Sequence, residues 1–156
     1  MNDALDTLLD EAIRHEHNVS MLYFEFFQVF PDDADFWWTL SVEENGHAGL
    51  LEAGRKVFGS EYGEEILPAR VEYLIEANNM LEKLLEQIKE HPLTREAAFR
   101  TALEIETTTD GMIFENALQP PEDSEVSAIS ERIHRDDLRH ASMIRAYMKE
   151  HGISEA

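Results

Sequence analysis

Four acidic residues stand in the middle of four otherwise largely apolar stripes, and no other feature of this 156-residue chain restricts its fold so tightly. Leu5, Leu9, Ala12, Glu16, Val19, Tyr23, Phe26 and Phe30 follow one another in alternating steps of four and three, the inward seam of a helix in a bundle. Trp37, Leu40, Glu44, His47, Leu51, Gly54 and Phe58 make a second seam. Phe99, Ala102, Glu106, Thr109 and Ile113, with Ala117 a turn further, make a third. Ile129, Ile133, Asp137, His140, Ile144 and Tyr147 make a fourth. An ionised carboxylate stays inside a protein only if it is paired, protonated or bound to a metal. Four uncompensated acids at the centre of one bundle would repel one another. Two divalent cations would neutralise them and would also use the two neutral imidazoles of His47 and His140.

The spacing supports this. Glu44 and His47 are three residues apart, as are Asp137 and His140, so each pair shares one helix face. The order along the chain is acid, acid-x-x-His, acid, acid-x-x-His, which is an internal repeat: Glu44-x-x-His47-Ala48 matches Asp137-x-x-His140-Ala141. Each half of the chain then supplies one helix pair to a pseudo-symmetric site.

Helix punctuation agrees. The chain has seven glycines and five prolines, placed where helices should stop. We read helices over 3–30, 34–58, 69–90, 94–118 and 123–150. Pro31 closes the first, Gly59 and Gly63 mark the turn after the second, and Pro68 opens the third. His91-Pro92 separates the third from the fourth, and Pro120-Pro121 the fourth from the fifth. No strand-like alternation is present. The expected fold class is all-α: an antiparallel four-helix bundle in a single domain, 1–156, in which the third helix carries the chain between the two helix pairs.

Charge narrows the function classes. Thirteen Lys and Arg against thirty-three Asp and Glu give a formal net charge of −20, which nucleic acids and anionic membrane surfaces would repel and cations would not. No apolar run approaches the ~20 residues that span a bilayer. The acidic N-terminus lacks a signal pattern, so the expected location is cytoplasmic. With no cysteine in the chain, thiolate zinc and iron–sulfur sites are excluded, and any metal has nitrogen and oxygen ligands. Such a set suits iron, manganese or zinc.

These motifs, four in the right order on four interior seams, resemble the rubrerythrin and ferritin-like di-iron carboxylate superfamily. Tyr23, seven residues after Glu16, also resembles the first helix of those proteins. The resemblance implies a ferritin-like bundle holding two Fe ions on Glu16, Glu44, His47, Glu106, Asp137 and His140. Glu44 and Glu106 would bridge the metals, Glu16 and Asp137 would be terminal ligands, and each histidine would bind one metal. Asp137 stands where the family has a glutamate, and the cysteine-bearing electron-carrying domain of rubrerythrins is missing from the sequence. The implied activity is an oxidoreductase of peroxidase or ferroxidase type. It would act on peroxide or O2, with electrons from a separate donor protein, in a homodimer or larger homo-oligomer. Iron storage by a ferritin-like assembly and a di-iron monooxygenase acting on an organic substrate are the alternatives.

Among the remaining polar residues, Tyr23 and Asp110 are expected to support the ligands from the layer behind them, Asp110 by accepting from a ligand histidine. Asp136, next to Asp137, is off the seam. Glu43 is expected to face away and be solvated. His15 and His17 are expected at the surface, His91 at a helix C-terminus, His134 on a helix face and His151 at the terminus, and Trp37 and Trp38 are expected to serve as packing residues.

Overall fold

The computed structural model of the protein describes residues 3–61, 68–108 and 124–156. Those residues form five α-helices and a short 3-10 turn, with no strand among them. Helix α1 is Asp3–Val29, followed by the 3-10 turn Pro31–Asp33, α2 (Ala34–Glu61), α3 (Pro68–Glu90), α4 (Arg95–Thr108) and α5 (Glu125–Glu150). Helix α2 runs on past Phe58 to Glu61. The expected continuation of α4 to residue 118, with Thr109, Asp110, Ile113 and Ala117, lies outside the described residues, so the role expected of Asp110 falls there too. No described helix is long and apolar enough to cross a membrane.

Local chemistry fixes the helix ends. Pro31 sits at the first position of the 3-10 turn, where its missing N–H costs nothing. Thr94 caps α4 by accepting from Ala97 N through Oγ1 at 3.2 Å, and Ser124 caps α5 by accepting from Ser127 N at 3.0 Å. Helix α5 ends in a Schellman motif: Gly152 takes φ +67°, Gly152 N donates to Lys149 O and Ile153 N donates to Met148 O. Ile153 is buried behind this turn, so the cap also closes the core.

Cross-helix bonds give the directions. Arg55 of α2 pairs with Asp6 and Asp10 of α1, while Ser20 and Ser41 meet further along, so α1 and α2 are antiparallel. Helix α5 is antiparallel to α2, with His140 against Glu43 and Asp136 against His47. It is also antiparallel to α4, with Tyr147 against Phe99 and His140 near Glu106. Helix α3 lies along α1 in the same direction, with Asn78 bonded to Glu11 and Glu82 to Arg14. It therefore returns the chain to the end where α1 stopped. At that end Asp33, 1% exposed, receives two bonds from Arg95 at 2.8 Å and one from Tyr147 at 2.7 Å, tying the 3-10 turn to α4 and α5.

The buried apolar residues fall into two clusters. One, at the 3-10 end, gathers Tyr23, Phe26, Trp37, Phe99, Ile144 and Met148 with aliphatic residues of α1–α4. The other, at the opposite end, gathers Leu5, Leu8, Leu9, Leu51, Phe58, Val71, Leu74 and Ile133. In sequence, Glu16, Glu44, His47, Asp137 and His140 lie between members of the two clusters on their helices, so a polar layer divides the core. Gly54 of α2 packs under the Ile129 side chain of α5, whose Cδ1 would lie 2.8 Å from a Cβ placed there.

Candidate metal centre

All six residues singled out on the seams are buried, from 0% exposed for His140 to 9% for Asp137. The bundle brings them together in two groups with one member in common: Glu16, Glu44 and His47 in the first, Glu44, Glu106, Asp137 and His140 in the second. In each group one donor atom per residue lies within 4.8 Å of the others. His47 Nδ1 is 3.3 Å from Glu44 Oε2, 3.6 Å from Glu16 Oε2 and 4.0 Å from Asp137 Oδ1. His140 Nδ1 is 2.7 Å from Glu44 Oε1 and 3.6 Å from Glu106 Oε2. The two imidazole rings lie 5.8 Å apart and 25° from parallel.

Whether these groups fit cations can be tested on the donors themselves. Two ligands on one cation cannot be further apart than twice the bond length, or ~4.2 Å for bonds of ~2.1 Å. The nitrogen–oxygen separations above all fall inside that limit, and the widest pairs in each group need to close by only a few tenths of an ångström. Despite this crowding, His47 Nδ1, His140 Nδ1 and Glu44 Oε1 are buried without a well-aligned hydrogen bond, even though His140 Nδ1 and Glu44 Oε1 lie only 2.7 Å apart. Buried polar atoms are rarely left so. These atoms belong to the two groups that share Glu44, where cations could sit.

The outer nitrogens of the same rings are held. His47 Nε2 lies 3.0 Å from Asp136 Oδ2, and His140 Nε2 lies 2.6 Å from Glu43 Oε2. A carboxylate on Nε2 keeps the proton there, leaving the Nδ1 lone pair for a metal. The arrangement is crossed: the acid that precedes each acid-x-x-His motif serves the histidine of the other motif. Arg139 lies over both carboxylates, 2.6 Å from Glu43 and 3.7 Å from Asp136. Glu43 therefore reaches the site, although its side chain stays 31% exposed and lines an open cleft. Its long side chain reaches sideways across the close contact between α2 and α5, which its position off the seam does not suggest. The signal in the sequence was the doubled acid, Glu43-Glu44 and Asp136-Asp137, recurring in both halves.

Tyr23 donates to Glu106 Oε1 at 2.5 Å. His15 is not at the surface. It is 8% exposed, with Nδ1 3.2 Å from Asn78 Oδ1, because α3 covers a second flank of α1. Leu8, His15, Asn18 and Leu22 are all buried and mark that flank. His17 is exposed as expected. Trp37 is fully buried, whereas Trp38 is half exposed against Phe24 and Phe27.

Electrostatics follow from burial among like charges. Burial, with Glu44 nearby, pushes Glu16 up to about 7, and burial among Glu16, Glu44 and Glu106 holds Asp137 well above the usual carboxylate range. Burial pulls His47 and His140 down, but the adjoining carboxylates outweigh it and push them up to about 12 and about 11. Burial acts to raise Asp136 and Glu43, yet their histidine and arginine partners leave both below their ordinary values. Without cations, the layer holds protons in their place.

Among the described residues, one cleft reaches the layer and another runs beside α1. One, about 430 Å³, opens between α2 and α5 and is lined by Glu43, Gly46, His47, Leu50, Arg132, Asp136 and Arg139. The other, about 520 Å³, is an apolar groove between α3 and α4 that reaches His15. Its described lining includes none of the six clustered residues. Compared with protein-family models, curated proteins and solved structures, the chain matches none of them.

Proposed function

We propose that the protein is a two-metal oxidoreductase of rubrerythrin-like type, built as a ferritin-like four-helix bundle of α1, α2, α4 and α5, with α3 as the crossover helix. The observation that carries this reading is the set of three buried donors without a well-aligned hydrogen bond, His47 Nδ1, His140 Nδ1 and Glu44 Oε1, in a layer of four acids and two imidazoles. Two bound iron ions would supply the electrons that peroxide or O2 takes up, and a separate donor protein would restore them.

The protein's own groups prepare the layer. Asp136 and Glu43 set the tautomer of the two imidazoles, so that both present Nδ1 inward. Glu44 offers one oxygen toward each histidine, the disposition of a bridging carboxylate. Tyr23 holds Glu106 by one oxygen and leaves the other facing His140. The polar cleft between α2 and α5 touches His47 directly and suits a small polar oxidant.

The test is elemental analysis of protein purified without added metal, together with its oxidised absorption spectrum. About two iron atoms per chain and a charge-transfer band that peroxide alters are the expected results. Metal-free protein that takes up no divalent cation would refute the reading.

A further inference from the structure

Acids outnumber cations thirty-three to thirteen in this chain, so an arginine without an acid is the exception. Arg14, Arg55, Arg95, Arg139 and Arg145 each hold a carboxylate, and Arg100 holds the Ser154 carbonyl. Among the described residues Arg132 holds neither. Asp136, the acid four residues on along α5, is engaged by His47 and Arg139 instead. Arg132 is exposed, and it lines the cleft of about 430 Å³ between α2 and α5 together with Arg139, Glu43, Asp136 and His47.

The electrostatics of this cleft set it apart. Glu43 and Asp136 are each bonded to a histidine and paired with Arg139. With the imidazoles neutral, the two arginines offset the two acids, so the lining carries no net charge in a chain of formal charge −20. An acidic surface repels anions in general. A small anion would be accepted where the local charge is balanced and a guanidinium still has donors to offer. That guanidinium is planar, and its forked N–H groups match carboxylate and phosphate oxygens.

The facing wall leaves room. Gly46 of α2 also lines the cleft, and a Cβ built there would meet no atom within 4 Å. Packing within the chain does not require a glycine at this position, and glycine weakens a helix interior. A larger side chain at Gly46 would project into open space on the cleft wall. The volume is within the range of roughly 300–1,000 Å³ usual for small-molecule sites.

We propose that the cleft between α2 and α5 binds a small oxyanion, a carboxylate or a phosphate, whose charged group pairs with Arg132. Arg139 keeps Glu43 and Asp136 matched, and Gly46 keeps the space free. The proposal does not rest on the two-metal reading, because neither Arg132 nor Gly46 belongs to the clustered acids and histidines.

The experiment titrates full-length protein with inorganic phosphate and, separately, with succinate, by calorimetry at constant ionic strength in a buffer free of both. It is run on protein as purified and again after a chelator has removed any metal and been dialysed away. Saturable binding of one anion per chain is expected in both preparations, and the anion that binds more tightly tells phosphate from carboxylate. Arg132→Gln should weaken binding by roughly tenfold or more. Arg135→Gln removes the same charge from an exposed position three residues away, outside the described lining of the cleft, and should leave the affinity unchanged. Gly46→Leu should abolish binding while circular dichroism stays that of the native protein. If Gly46→Leu fails to fold, the two arginine variants still decide, since both side chains are exposed. Failure of both anions to bind, or equal weakening by Arg132→Gln and Arg135→Gln, would overturn the site. Binding that disappears with the metal would place the anion on the cations and overturn it too. Protein that holds no metal yet binds the anion through Arg132 would keep the cleft and bring down the two-metal reading alone.

Discussion

The α1–α2 pair and the α4–α5 pair supply the same kinds of group in the same order, yet they do not occupy the shared layer in the same way. Glu44 of the first pair reaches both histidines, at 3.3 Å and 2.7 Å. Its counterpart Asp137, one methylene shorter, comes no nearer than 4.0 Å to His47 Nδ1. Glu106 has one oxygen claimed by Tyr23, whereas the residue seven after Glu106 in the sequence is Ile113, so the second half offers Glu16 no tyrosine at the matching position. The resemblance implied two bridging glutamates, Glu44 and Glu106. In the structure Glu44 belongs to both ligand groups and Glu106 to one. The lesson is that a sequence repeat sets which groups arrive, while side-chain length and competing hydrogen bonds set what each can do.

The largest effect should come from removing the cations from both halves at once. Glu16, Asp137, His47 and His140 all bind protons more tightly in the folded protein than in the unfolded chain. The stability they contribute is complete below their unfolded values and is lost as pH rises, for Glu16 between 4.5 and about 7, and for the histidines from 6.5 upward. Asp136 and Glu43 act in the opposite sense, but only below the ordinary carboxylate values of 3.8 and 4.5. Metal-free protein should therefore melt at a lower temperature at pH 8 than at pH 6. Metal-loaded protein should reverse that order, since cations replace protons and bind more tightly as pH rises. Free metal at a thousand times Kd should stabilise by ~4 kcal/mol. Identical melting curves with and without metal at both pH values would count against the site itself.

Next in size is the asymmetry of the bridge. Glu44→Ala should abolish uptake of both cations, whereas Asp137→Ala should leave one per chain, bound near Glu16, Glu44 and His47. Elemental analysis of the two variants decides this, and equal loss in both would restore symmetry to the halves. Smaller again are the crossed outer carboxylates. Glu43→Gln and Asp136→Asn should each weaken metal binding by roughly 10–100-fold, as is usual for groups that orient ligand histidines. Glu43→Gln should act on the His140 group and Asp136→Asn on the His47 group. A competition titration with a chelator would read both constants, and no change in either would show that the outer contacts are incidental. The smallest expected effect is that of Tyr23→Phe in metal-free protein, a loss of about 1 kcal/mol for one hydrogen bond, measured by denaturant unfolding.

The six clustered residues were legible because a bundle seam is read directly from steps of three and four, and an acid on such a seam has no bland explanation. Glu43 and Asp136 are less legible, because a residue one before a seam position points about a quarter-turn away, and only the contact of α2 with α5 at His140 and His47 makes that direction useful. His15 was misjudged for another reason. The packing of α3 against a second flank of α1 is a tertiary fact, although Leu8, His15, Asn18 and Leu22 did trace that flank in the sequence. The direction of α3, parallel to α1, follows from the polar contacts of Asn78, Arg14 and Glu82 and from no local pattern.

A core divided by a polar waist has two reasons to be closed and one reason to be open. The leucine-rich end and the aromatic end each bury apolar surface, which favours closure, but the layer between them gains little from closing until its charges are matched. Helix α3 already joins the two ends, since it carries members of both clusters. A cation bound in the layer would add a second tie, making the waist itself a contributor to folding as one unit.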